Sequence, residues 1–86
     1  MRTPINEAVK VRVDIDSVAQ RASLLCVRWQ GRDYLVRETG MAYTVRDGRK
    51  QVHVFCVNVG ALDMRIHVDG DTLHATLIEA SDGLAD

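Results

Sequence analysis

Side chains that alternate apolar and polar with a period of two, with no useful apolar stripe at 3.6-residue spacing, leave this chain little choice but strands. Val9, Val11, Val13 and Ile15 fall on one side of residues 7–16, and Lys10, Arg12, Asp14 and Asp16 on the other. Met41, Tyr43 and Val45 alternate with Ala42, Thr44 and Arg46, and Leu62, Met64, Ile66 and Val68 with Asp63, Arg65, His67 and Asp69. Leu73, Ala75 and Leu77 alternate with Thr72, His74 and Thr76. Residues 51–59, Gln-Val-His-Val-Phe-Cys-Val-Asn-Val, are apolar on both faces, as a central strand is.

Residues 23–38 hold the only Trp and read as a hairpin around Gln30-Gly31-Arg32. Leu25, Val27, Trp29, Tyr34 and Val36 share one face in either register that the turn allows. A turn at Gly31-Arg32 sets Trp29 opposite Tyr34; one at Gln30-Gly31 sets Val27 opposite Tyr34. The other face mixes Leu24, Cys26 and Leu35 with Arg28, Asp33 and Arg37, too apolar to be merely solvated. Further turns are expected at Thr39-Gly40, at Asp47-Gly48 as type I′, at Gly60-Ala61 and at Asp69-Gly70-Asp71. An Asp47-Gly48 turn pairs Tyr43 with Val52 and Met41 with Val54.

These segments add up to an all-β domain: a small antiparallel meander of about seven strands, strongly curved or closed as a small barrel. One flat sheet would expose the second faces of 24–35 and 51–59, which favours closure. The 86 residues make one domain, 1–86, with 1–6 a loose lead-in, 17–22 a connection and 80–86 a frayed tail. Hydrophobic residues are 47% of the chain, enough for a core. No run approaches the roughly 18 apolar residues of a membrane helix, and the N-terminus carries no apolar signal segment. A cytoplasmic protein without a membrane partner is expected. Cys26 and Cys56 are then reduced thiols.

Net charge is −1, but residues 1–50 carry ten Lys/Arg against six Asp/Glu, and residues 51–86 one Arg against six acids. The halves are therefore +4 and −5, an asymmetry that can guide a partner or a second copy. Candidate protein-binding residues are Leu24, Arg28, Leu35, Arg37 and Arg46, an apolar face rimmed by arginines. Arg28, Arg32, Arg46, Arg49 and Lys50, interleaved with Trp29, Tyr34 and Tyr43, are candidates for gripping nucleic acid. Against that, Trp29 and Tyr34 share the core face, and stacking needs exposed rings.

Catalytic signals are weak. His67 would face His74 if the last hairpin turned at Gly70-Asp71, a pair able to hold a metal with Asp69 or Asp63; a turn at Asp69-Gly70 would set His67 against Thr72 instead. His53 and Cys56 lie three apart on one strand and so point to opposite faces, while His53 with Cys26 stays geometrically open. No nucleophile elbow or phosphate-binding glycine loop occurs. No cofactor and no enzymatic role is expected.

Arg28-Trp29-Gln30-Gly31-Arg32-Asp33-Tyr34-Leu35-Val36-Arg37-Glu38 resembles the W-x-G-R-x-Y-x-V signature of a small bacterial β domain. That domain occurs free-standing or at the C-terminus of Y-family polymerase-like DNA-repair proteins. The run from Leu62 to Asp82 resembles its closing strands, whereas Thr39-Gly40 stands where the family has a second tryptophan-rich segment. The resemblance implies an accessory module in a DNA-repair context and brings no catalytic residues. The combined expectation is a non-catalytic interaction module, protein-binding or self-associating, with nucleic-acid association as the alternative.

Overall fold

The computed structural model describes residues 2–82. Seven antiparallel strands form one curled, half-barrel sheet: β1 (Arg2–Asp16), β2 (Arg21–Trp29), β3 (Arg32–Leu35), β4 (Glu38–Asp47), β5 (Lys50–Asn58), β6 (Leu62–Asp69) and β7 (Ala75–Asp82). No helix occurs among the described residues, so none there could cross a membrane. The order across the sheet is β3-β2-β1-β7-β6-β5-β4. Sequence neighbours pair everywhere except β3 and β4, which lie at opposite ends of the order, while β1 and β7 pair in its middle. Only Val36 and Arg37 separate β3 from β4: Val36 N–H donates to Leu25 O of β2, and Arg37 N–H to Asn58 O of β5. So short a link between the two ends of the order forces the sheet to curl.

Bulges supply the bend, because an extra residue on one strand increases local twist. On β2, Val13 faces Leu24 and Arg12 faces Cys26, so Leu25 is extra. On β4, Thr39 faces Val57 and Met41 faces Cys56, so Gly40 is extra. On β7, Arg65 faces Glu79 and Ile66 faces Leu77, so Ile78 is extra; opposite it on β1, Asn6 adopts a positive φ of 54°.

The bulge at Leu25 corrects one face assignment. It swings Leu24 inward beside Val27 and turns Leu25 out, half exposed, reversing the parity that strict alternation gives. Other expectations shift too. Residues 2–6 are strand, with Arg2 facing Ser81, and 80–82 belong to β7; the rest of the expected tail, 83–86, lies outside the described residues. The connection after β1 is a turn over 17–20, which the Asp16 carboxylate caps by accepting from the Val18 and Ala19 N–H groups at 3.1 and 3.0 Å. Thr39-Gly40 is not a turn but a bulged part of β4.

Of the two readings of the first hairpin, Gln30-Gly31 is the turn: Trp29 faces Arg32, Val27 faces Tyr34, and both turn residues have positive φ (52° and 76°), as type I′ needs. The next hairpin turns one residue later than expected. Asp47 faces Lys50, so Gly48-Arg49 is the turn, with positive φ at Gly48 alone (61°), the type II′ arrangement. Tyr43 therefore pairs with Val54 and Val45 with Val52, still apolar on apolar.

The core gathers Leu24, Val27, Phe55, Val57, Met64, Ile66 and Leu77 on the inner side of the curl, with Val9, Val11, Val13, Trp29, Tyr34 and Val36 packed against it. Trp29 is half-buried rather than enclosed; its ring centroid is 6.1 Å from that of Tyr34, and its indole N–H donates to Glu7 Oε2 at 3.3 Å. Tyr43 belongs to the opposite, outer face.

Candidate interaction surfaces

The outer face of β1, β2 and β3 is built by register. Lys10 faces Arg28, which faces Asp33; Arg12 faces Cys26, which faces Leu35. These two rows, with Leu25 from the bulge, line an open groove. Leu35 is 70% exposed and Leu25 50%. Three cations stand around them with one acid, Asp33, whose Oδ1 lies 3.3 Å from Arg28 Nη1. Both side chains of that ion pair are more than half exposed, so it adds little stability and mainly orients Arg28.

Of the expected protein-binding residues, the fold brings together only Arg28 and Leu35. Leu24 is a correction: at 2% exposure it is core and offers no surface. Arg37 is exposed on the link to β4, its Nε beside Gly60 of the β5–β6 turn (3.7 Å from where a β-carbon there would sit). Arg46 is near the β4–β5 turn. Leu25, Lys10 and Arg12 were missed. Only the bulge turns Leu25 outward, and only the β1–β2 register sets Lys10 and Arg12 beside Arg28 and Cys26.

The nucleic-acid candidates are divided. Antiparallel neighbours put the β1–β2, β4–β5 and β6–β7 connections at one end of the sheet and the β2–β3 and β5–β6 turns at the other. Arg28 and Arg32 flank the β2–β3 turn, whereas Arg46, Arg49 and Lys50 surround the β4–β5 turn. Arg32 lies over Tyr34, 5.9 Å from its centroid.

A second outer groove crosses β4 to β7 and is lined by Glu38, Met41, Cys56, Asp63, Arg65 and Glu79 among others. Cys56, Arg65 and Glu79 form one cross-strand row, with Arg65 Nη2 3.3 Å from Glu79 Oε1. The Cys56 sulfur first, and then the Glu79 charge, hold the Arg65 proton more tightly than usual. Asn58 closes the β5–β6 turn by accepting from Gly60 N–H at 3.0 Å and donating to Asp63 Oδ1 at 2.9 Å. Met41 of this groove and, farther along β4, Tyr43 and Val45 are 59%, 43% and 44% exposed, backed by the half-buried Val52 and the buried Val54 of β5.

The histidines do not converge. Val68 faces Ala75, so the last connection is a wide loop, and His67 faces Thr76 rather than His74 or Thr72. The loop is held by Asp69, whose carboxylate accepts from the Asp71 and Thr72 N–H groups at 2.8 and 3.0 Å, and by Gly70 N–H donating to Gln51 O at 2.8 Å. Those two donors to Asp69, Thr72 first, lower its pKa. His53 Nδ1 is 3.2 Å from Thr44 Oγ1, on the strand pair farthest in the sheet order from Cys26. No known family, curated protein or solved structure matches the chain.

Proposed function

We propose that the protein is a non-catalytic interaction module whose outer groove on β1, β2 and β3 binds a protein partner. One observation carries the reading: Leu25 and Leu35 stand exposed between Lys10, Arg12 and Arg28. Apolar centres supply affinity, while charged rims set encounter rate and specificity. The partner chemistry that fits is an acidic segment carrying apolar side chains. A single-stranded nucleic acid fits less well, because Trp29 and Tyr34 pack toward the core and the five basic candidates lie at two ends of the sheet. The accessory-module reading that the W-x-G-R-x-Y-x-V resemblance implies is compatible with such a partner.

Photo-crosslinking from position 35 in cells of the source organism tests the proposal. The expected result is one discrete heterologous protein adduct, absent when the crosslinker is moved to position 18 and lost with Arg12→Glu. Adducts to nucleic acid alone, or a protein adduct indifferent to Arg12→Glu, would overturn it.

A further inference from the structure

We infer that β4 is a self-association edge: two copies of this chain pair their β4 strands antiparallel about a two-fold axis at Thr44. The surface is separate from the β1–β2–β3 groove, so either assignment can fail without the other.

The backbone makes the first argument. β4 ends the sheet order, and β5 is its only strand neighbour among the described residues. The Gly48-Arg49 turn is closed by Asp47 opposite Lys50. In a two-residue hairpin the closing pair is hydrogen-bonded, and bonded pairs alternate from there. Asp47, Val45 and Tyr43 therefore direct their backbone groups to β5. Arg46, Thr44 and Ala42 direct theirs to the open edge.

The edge is also unguarded. Natural sheets blunt edges with short strands, Lys, Pro, bulges or inward charges. The other end strand, β3, has four residues, two of them the charged Arg32 and Asp33. Residues 41–45 of β4, Met-Ala-Tyr-Thr-Val, carry no charge and no Pro, and the bulge at Gly40 lies just before them. Every residue of β4 is exposed.

Self-complementarity selects a second copy as the occupant. About a two-fold at Thr44, Ala42 meets the second copy's Arg46 and Thr44 meets its counterpart, all outward-directed residues, giving about six backbone hydrogen bonds. Tyr43 then meets Val45 twice, in the close non-hydrogen-bonded positions where an aromatic and a β-branched side chain pair well. Arg46 and Asp47 of the two copies fall at opposite ends of the ladder, so no like charges oppose. A parallel pairing in register would stack Arg46 on Arg46 and Asp47 on Asp47. A two-fold at Tyr43 runs Arg46 into the bulge at Gly40, and one at Val45 sets Tyr43 against Asp47. The Thr44 register also joins the outer strips of Met41, Tyr43, Val45 and the half-buried Val52 from both copies, and the closed two-fold contact stops at a dimer.

The test is sedimentation velocity on the full chain over a concentration series, with oxidative crosslinking to read the register. The expected result is a reversible dimer whose dissociation constant rises at least about tenfold with Val45→Lys and with Thr44→Pro, which removes an outward N–H. Leu35→Asp should leave it unchanged. Thr44→Cys should give a covalent dimer on mild oxidation, and Arg46→Cys, like the native thiols, should not. A monomer at every concentration would overturn the inference. So would an open series of oligomers, a dimer sensitive to Leu35→Asp but not Val45→Lys, or a β4 edge filled by a strand of another protein. Far-UV spectra confirm that Val45→Lys, a change at an exposed position, retains the strand signal; Thr44→Pro is scored only if it does too.

Discussion

β4 and β6 carry nearly the same alternating apolar triplet, Met41-x-Tyr43-x-Val45 and Met64-x-Ile66-x-Val68, and meet opposite fates. In β6 the three are buried, Ile66 completely; in β4 all three are exposed. Alternation states only which side chains share a face. Burial depends on what lies over that face and on how many strands stand beside it. β6 has β5 and β7 as neighbours and turns its apolar side inward, against Phe55, Val57 and Leu77. β4 has one neighbour and turns its apolar side outward, where only β5 backs it.

The largest expected effect sharpens that contrast. Ile66→Ala removes a fully buried side chain and should cost about 2–5 kcal/mol, whereas Val45→Ala should cost less than about 1 kcal/mol. Urea unfolding of the monomer reads both. Equal losses would mean that β4 is covered within the chain. The same logic separates Leu24 from Leu35, eleven positions apart: Leu24→Asp buries an unpaired carboxylate and should prevent stable folding, while Leu35→Asp should leave the melting transition nearly unchanged. Chain order suggests that these two share a face; the bulge at Leu25 separates them.

A smaller but sharper effect is expected at Gly70. A β-carbon there would lie 2.9 Å from Gln51 O, the backbone oxygen to which Gly70 N–H donates. The clash is with backbone, which cannot swing aside as a side-chain tip would. Gly70→Ala should therefore cost about 1–3 kcal/mol. Gly31, with open space around it, reports a different constraint, its φ of 76°. A Gly70→Ala protein as stable as the parent would show that the β6–β7 loop can leave β5 freely.

The strand count, the antiparallel neighbours and most inward residues were legible because each rests on local period and turn chemistry. What was not legible is set by one-residue insertions. Leu25, Gly40 and Ile78 are ordinary strand residues or an expected turn in the sequence, and each becomes a bulge only because a neighbouring strand fixes the register on both sides of it. The outward Leu25 was lost for that reason. The β4–β5 turn moved by one residue because Gly48 satisfies either a I′ or a II′ turn, and the two registers change which residues pair but not which share a face. The pairing of β1 with β7 brings together strands at the two ends of the chain, which no local signal encodes.

The smallest expected effect concerns pH and the outer side of β6. His67 lies between Val54 and Thr76 in the cross-strand row, partly shielded from water. Burial first, and then the charge of Arg65, lower its pKa below the ordinary 6.5. The unfolded chain therefore binds the proton more tightly than the folded one. Above the unfolded value both states are neutral at this group and the full stability is present. As pH falls through that value the unfolded state gains protons first and stability declines, and the decline levels off once pH passes below the folded value. Asp69, whose pKa is also lowered, loses its contribution only at lower pH, as its folded carboxylate protonates, so the two windows do not coincide. Urea midpoints measured from about pH 7.5 down to about pH 5 should fall more for the parent protein than for His67→Gln. Identical slopes would mean that the His67 imidazole is fully solvated, and that Val54 and the exposed β4 strip beside it do not shield this part of the outer face.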